Sequence, residues 1–476
     1  MIALRKYQDR KVGVFGLGKS GLATVSALLA GGAEVLVWDD TEKSRTEFSR
    51  SVTEGKARLQ NPNQWPWAEL DVLVLSPGIP LTHPKPHDVV LKAQEANVRV
   101  IGDIELLCEA QPHARKIAIT GTNGKSTTTS LIGHIIAASG GAPEVGGNLG
   151  TPALSLSPLS TEGCYVLELS SYQLDLIQTS RFNVAMLLNV TPDHLDRHGS
   201  MAGYVEAKSH IFDRQTKHDY AVISIDDDYS RSVYASIKQH SKSQVVGIST
   251  THELKQGIFV DKDGMLHDML NPMQPTFIDL QGIQNLTGRH NWQNAAFAYA
   301  ACRLHGLSTA QIEKGLRSFP GLRHRLQVVN AVHGVRFIND SKATNADATA
   351  NALAPYTNIY WIAGGKAKEG GIESLQRYYP NIAHVFLIGE AESMFAQTIG
   401  TQLSYTRCGT LANAFNCAAE MAFADKKQGA VVLLSPACAS FDQWKNFEER
   451  GDAFCVMAER LLDNVLKGKK GKVDAV

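Results

Sequence analysis

The sequence predicts an α/β protein of three successive domains, the second carrying a small β insertion. Short β-branched runs alternate with helical patterns in three separate series, the mark of parallel α/β units. Two glycine-rich turns each stand between such a run and a helix. At 476 residues the chain also exceeds one ordinary core, since domains average roughly 150 residues.

In the first series, strand-like runs are expected at 12–15, 34–38, 72–75 and 98–101, with a helix over 20–30. The second series opens at 116–120 and continues through 165–169, 184–190 and 220–225. Between about 247 and 286 the text becomes short polar strands with turn signals such as Asp263-Gly264, which predicts the insertion; helical pattern returns at 292–304. The third series, at 335–338, 359–363, 384–388 and 431–434, opens near Phe319. These shifts divide the chain into 1–102, 103–320 and 321–476. The lysine- and glycine-rich end, 467–472, is expected to fray.

Composition narrows the function classes. Hydrophobic residues make up 43% and charged residues 20%, and 47 basic residues balance 47 acidic ones. No global field marks nucleic acid or an anionic membrane as a partner, so any anion is bound locally. The seven cysteines contain no CxxC pair, and their odd, scattered placement fits a reducing cytoplasm better than a disulfide framework. No signal-like N-terminus is expected, and no apolar run reaches the roughly 18 to 20 residues of a membrane span.

The strongest motif is TGTNGKST at 120–127, a glycine-rich turn between a hydrophobic strand and a helix. Glycines let backbone amides close on phosphate oxygens, Lys125 adds a point charge, and Ser126 or Thr127 offers a hydroxyl to magnesium. Its spacing departs from GxxxxGK[ST], because Ile119 stands where the first glycine would be. GLGKSG at 16–21 suits either a dinucleotide diphosphate or a purely structural tight turn. Asp39 and Asp40 close the next strand, where a carboxylate can meet ribose hydroxyls.

Glu168, at the end of YVLEL, suits either a magnesium ligand or an edge-strand glutamate in solvent. NVTPDHLDRH at 189–198 crowds several donors, among them His194. Lys208, in an expected helix over 202–212, reads by default as a surface lysine. Asn291 and Asn294 share one helix face and suit either capping or a purine edge. Arg323-His324-Arg325 and the run Asn339 to Thr344 offer charge for phosphate and ribose.

Taken together, GLGKSG, SPGI at 76, GDIEL at 102, TGTNGKST, GGNLGTPAL at 146, LELSSYQL at 167, NVTPDHLDRH, HNWQN at 290, NDSKATN at 339 and LLSPACASFDQWKNFEERG at 433 resemble the Mur ligase family over nearly the whole chain. The resemblance implies an N-terminal Rossmann-like domain for a UDP-sugar, a central P-loop ATPase-type domain with a mostly parallel sheet, and a C-terminal Rossmann-like domain for an amino acid. It implies a cytoplasmic, monomeric ligase joining D-glutamate to UDP-N-acetylmuramoyl-L-alanine, with ATP as co-substrate and two Mg2+ ions. Leu17, Gly18, Ser20, Asp39, Asn148 and Ser170 would bind the UDP-sugar. Gly121, Thr122, Asn123, Gly124, Lys125, Ser126 and Thr127 would hold the triphosphate, with Asn291 and Asn294 at adenine, Arg325 at the phosphates and Asp340 at ribose. Ser126, Glu168, His194 and a carbamylated Lys208 would serve the metal, and Lys125, His194 and Lys208 the catalysis. Thr344, Lys368, Ser440 and Phe447 would form the D-glutamate pocket, with Lys366 an alternative to Lys368.

Rival readings differ in what they leave unexplained. A nicotinamide-dependent oxidoreductase uses the first glycine turn and leaves residues 121–127 without a role. A non-catalytic nucleotide-binding protein does not need the lysine, glutamate and histidine set. A diaminopimelate-adding relative would carry an Asp-Asn-Pro-Arg loop, which the C-terminal region lacks.

Overall fold

The computed structural model describes residues 1–51, 57–148, 150–367, 371–425 and 427–466. The expected frayed tail at 467–472 and the candidate Lys368 lie outside the described residues. The chain forms two compact units, Met1–Phe319 and Pro320–Val476.

The first unit holds two sheets. β1 (Lys11–Phe15), β2 (Glu34–Trp38), β3 (Ala57–Leu59), β4 (Leu70–Leu75) and β5 (Arg99–Ile101) pair in the order β3-β2-β1-β4-β5, all parallel. Strand order reverses beside β1, so the glycine turn after it opens at the crevice where such sheets bind ligands. The second sheet comprises β6 (Arg115–Thr120), β7 (Pro143–Gly147), β8 (Cys164–Glu168), β9 (Val184–Leu187), β10 (Tyr220–Ser224), β11 (Gln244–Ser249), β12 (Ile258–Val260), β13 (Met265–Asp268) and β14 (Thr276–Asp279). Its order is β14-β13-β12-β11-β10-β9-β6-β8-β7. β6 and β8 are interior strands with unbroken buried runs at their centres, as expected where helices cover both faces.

The β insertion is not a separate body. β12 pairs parallel to β11, and β13 and β14 follow antiparallel, so the polar strands prolong the central sheet at one end.

The second unit carries β15 (Gln327–Val332), β16 (Val335–Asn339), β17 (Ile359–Gly364), β18 (Ile382–Ile388), β19 (Tyr405–Gly409) and β20 (Val431–Leu434), ordered β15-β16-β20-β17-β18-β19. Only β15 pairs antiparallel. Apolar side chains from both faces of this sheet form two cores. The sequence analysis does not anticipate β3, β7, β15 and β19, each an edge strand, nor the interior β11. An edge needs no continuous apolar run, and PEVGG or YTRCG offers none.

Candidate active site

β6 delivers its chain between β9 and β8 into the turn at 121–124, and the helix Lys125–Ala138 follows. Gly124, with φ +83°, starts that helix in the left-handed region, and a Cβ there would stand 2.3 Å from Asn294 Oδ1; only glycine suits both demands. Asn189 fastens the turn. Its carbonyl accepts from Thr122 N–H at 3.0 Å, and its side chain accepts from Asn123 N–H at 2.8 Å and donates to Asn123 O at 3.1 Å. The sequence reading gave this asparagine no role, although its place directly after an apolar strand was a usable signal. Lys125 Nζ donates to Gly121 O and Thr122 O, both at 2.9 Å, while Ser126 and Thr127 lie buried in the first helical turn.

Lys208 is no surface lysine. It sits in the helix Met201–Ser209 at 1% exposure, donates to Gly121 O at 2.9 Å, and lies 4.5 Å from the centre of the Tyr204 ring. Burial, and then the nearby Lys125 charge, pull its amine down to about 6. At neutral pH it is therefore mainly the uncharged, nucleophilic form.

Glu168 is not an edge residue in solvent either. It ends β8, flanked by β6 and β7, at 3% exposure. Oε1 accepts from Asn148 Nδ2 at 2.9 Å, whereas Oε2 is buried with no hydrogen-bond partner. A buried carboxylate oxygen left unpaired is what a hard cation satisfies. Ser170 caps the helix Ser171–Leu174 reciprocally with Gln173. His194 takes φ +53°, half-exposed, 5.1 Å from the Tyr172 ring. Among the described residues no three His, Cys, Asp or Glu side chains gather as a metal group.

Asn294 accepts from Thr128 Oγ1, in the helix after the turn, at 3.2 Å, and it donates to Asn291 at 3.3 Å. At the first glycine turn, Asp39 accepts from Leu17 N–H at 2.7 Å. Gly18 caps the helix Lys19–Ala30, and Ser20 donates to Asp103, a buried carboxyl that burial pushes above its usual range. Arg197 donates to Gly78 O at 2.9 Å and stacks over Tyr172, joining the SPGI turn to the His194 loop.

In the second unit, Arg325 closes a turn with Leu322. Asp340 is buried, accepting from Leu326 N–H at 3.1 Å and Ser435 Oγ at 2.8 Å; burial raises it to about 7. Both of its oxygens are thus engaged within the fold. Thr344 is half-buried, Ser440 is buried, and Phe447 starts the helix Phe447–Leu466 beneath Lys342 Nζ, 5.6 Å from its ring. Lys366 pairs through its backbone with Ala439.

A glycine-rich turn on an interior parallel strand, beside a buried carboxylate short of one partner, makes the chain an α/β protein with a candidate nucleotide site. It belongs to the Mur ligase family. The Mur ligase middle domain matches residues 119–302, the Mur ligase, glutamate ligase domain residues 324–438, and the Mur ligase MurD-like, N-terminal domain residues 10–102. The chain is 50% identical to UDP-N-acetylmuramoylalanine--D-glutamate ligase of Paramagnetospirillum magneticum, over 95% of this chain and 97% of the relative. It is 47% identical to the enzyme of the same name from Rhodospirillum rubrum, over 99% of both. Its fold is similar to that of UDP-N-acetylmuramate-alanine ligase MurC from Thermotoga maritima (TM-score 0.57, 15% identity, 95% of this chain and 99% of that one). MurF from Acinetobacter baumannii is also similar (TM-score 0.58, 18% identity, 94% and 92%).

Proposed function

We propose that this chain is an ATP-dependent ligase that joins D-glutamate to UDP-N-acetylmuramoyl-L-alanine in peptidoglycan precursor synthesis. The observation that carries this reading is identity of 47 to 50% along 95 to 99% of the chain to enzymes bearing that name, with Lys125 and Lys208 both bonded to the turn at 121–124. The sugar-nucleotide carboxylate attacks the γ-phosphorus of ATP; the P–O bond to ADP breaks and an acyl phosphate forms. The unprotonated D-glutamate amine then attacks the acyl carbon, and the tetrahedral intermediate expels phosphate to leave the amide.

Lys125 adds positive charge where the γ-phosphoryl group transfers, and its bonds to the turn keep it there before substrate arrives. Ser126, Glu168, His194 and a carbamylated Lys208 would hold two magnesium ions, which supply charge neutralisation on the phosphates. The depressed Lys208 amine supports the carbamate: a neutral amine adds to carbon dioxide, forming an N–C bond and releasing one proton to solvent. His194 is the candidate base for the incoming amine.

Leu17, Gly18, Ser20, Asp39, Asn148 and Ser170 take the UDP-sugar in this reading, with Asn291, Asn294, Arg325 and Asp340 around ATP. Thr344, Lys368 or Lys366, Ser440 and Phe447 take D-glutamate. Functional boundaries fall at 1–102, 103–320 and 321–476, and the enzyme works as a cytoplasmic monomer without nucleic-acid or membrane partners. The test is a panel of amino acids with ATP and the alanyl sugar nucleotide. Amide product with D-glutamate alone is expected; product with L-alanine or a diamino acid instead, or turnover without ATP, overturns the reading.

A further inference from the structure

Arg450 is fully buried, at 0% exposure, in the helix Phe447–Leu466. Nε donates to Ser341 Oγ at 3.0 Å, and Nη2 donates to Ser341 O at 2.9 Å and Cys438 O at 3.0 Å. Ser341 stands three residues before Thr344, and Cys438 two before Ser440. Ser341 Oγ also donates to Phe447 O at 2.8 Å, closing the circuit onto the start of Arg450's own helix. Nη1 is buried without a hydrogen-bond partner, and it lies 3.1 Å from where a Cβ on Gly365 would stand. That glycine has φ +127°, and the same Cβ would press within 2.4 Å of Ala439 O, so the 364–367 loop passes close over the guanidinium and admits no side chain there.

Three loops that carry candidate amino-acid residues thus rest on one side chain. A guanidinium has five donors in a fixed fork and can bridge several loops, whereas an ammonium is a single point. Burial lowers Arg450 to about 10, so it stays cationic at neutral pH. Its bonded partners are a hydroxyl and two carbonyls, and the nearby Asp442 carboxylate favours its charged form, so the cation is held beneath loops proposed to receive an anionic substrate.

We propose that Arg450 is a positioning residue for the amino-acid substrate, setting the spacing of the 341–344, 364–367 and 438–440 loops. The inference rests on the pocket reading above. Arg450→Lys keeps the charge and loses the fork; the expected result is a rise of about tenfold or more in KM for D-glutamate, with KM for ATP and for the UDP-sugar unchanged within about twofold. Ser341→Ala removes one acceptor and the bond to Phe447; a rise of about threefold in the same KM is expected with the other two KM values unchanged, alongside a lowered melting temperature from the stranded Arg450 Nε and Phe447 O. The second variant decides the matter if the first does not fold. Equal changes in all three KM values, or a Ser341→Ala enzyme with wild-type KM for D-glutamate, overturn the inference. A wild-type enzyme indifferent to D-glutamate overturns the pocket reading instead.

Discussion

Lys208 illustrates how far one side chain's setting departs from its residue type. Its amine titrates near 6 in the fold against 10.5 for an ordinary lysine, because burial disfavours the charged form and Lys125 repels it. Between those values the unfolded chain binds the extra proton, so stability rises with pH across the window. The penalty is complete below about pH 6 and gone above about pH 10.5. Lys208→Met is therefore expected to lose turnover yet be more stable than the parent at pH 6, with the gap closing by pH 10, measured by urea midpoints in carbon dioxide-free buffer. A parent more stable than the variant at pH 6 would sink this argument. Asn148 makes a second prediction at the same scale. Its amide holds Glu168 Oε1, and removing such an outer partner typically weakens metal affinity by about 10- to 100-fold. Asn148→Ala should raise the Mg2+ concentration for half-maximal turnover, and direct Mn2+ binding should weaken alongside; unchanged Mn2+ affinity counts against it.

At the scale of elements, the helix Asp103–Ala110 is tied at three points along its length. Asp103 meets Ser20 and Gln173, and Glu109 meets Tyr7, Lys6 and Arg99. Glu105 accepts from the backbones of Gln178, Thr179 and Ser180 and from the hydroxyls of the last two. Burial pushes the Glu105 carboxyl up, but these hydrogen bonds outweigh it and the net direction is down. Its stabilisation is present above the unfolded carboxyl range and fades as pH falls through the lower folded value. Glu105→Ala strands several buried donors and is expected to cost about 3 kcal/mol at pH 7. That difference should shrink in acid, as chemical denaturation at pH 7 and pH 3 would read; an equal cost at both refutes the ionic account. None of this was legible beforehand. GDIEL served only as part of a resemblance, because partners some 75 positions away cannot be inferred from local periodicity. Most interior strands were legible, since burial on both faces forces a continuous apolar run; Gln244–Ser249 was not, because its run QVVGIS starts polar and passes into the insertion.

For the whole molecule, the sequence anticipated three α/β series and their glycine turns, and the turn at 121–124 could be placed because its backbone geometry calls for glycine. Lys208 and Glu168 could not, since their burial depends on elements far apart in sequence. The composition shifts mark three series, and three family domains match in the same order, at 10–102, 119–302 and 324–438; the first two lie within one compact unit, Met1–Phe319, and the third in Pro320–Val476. The helix Asp103–Ala110 links the first two, because its acidic ties join the segment before it to the segment after it. Two units with separate cores should melt as two calorimetric transitions. The candidate UDP-sugar residues lie in the first unit and those for D-glutamate in the second. A ligand that binds only a folded unit stabilises that unit by about 2.7 kcal/mol at a hundred times its dissociation constant. UDP-N-acetylmuramoyl-L-alanine added alone should therefore raise the transition of the larger, first unit and leave the other in place. D-glutamate alone should act on the second. A single transition that both ligands move together would refute this division of labour, because it would mean that the units unfold as one cooperative body.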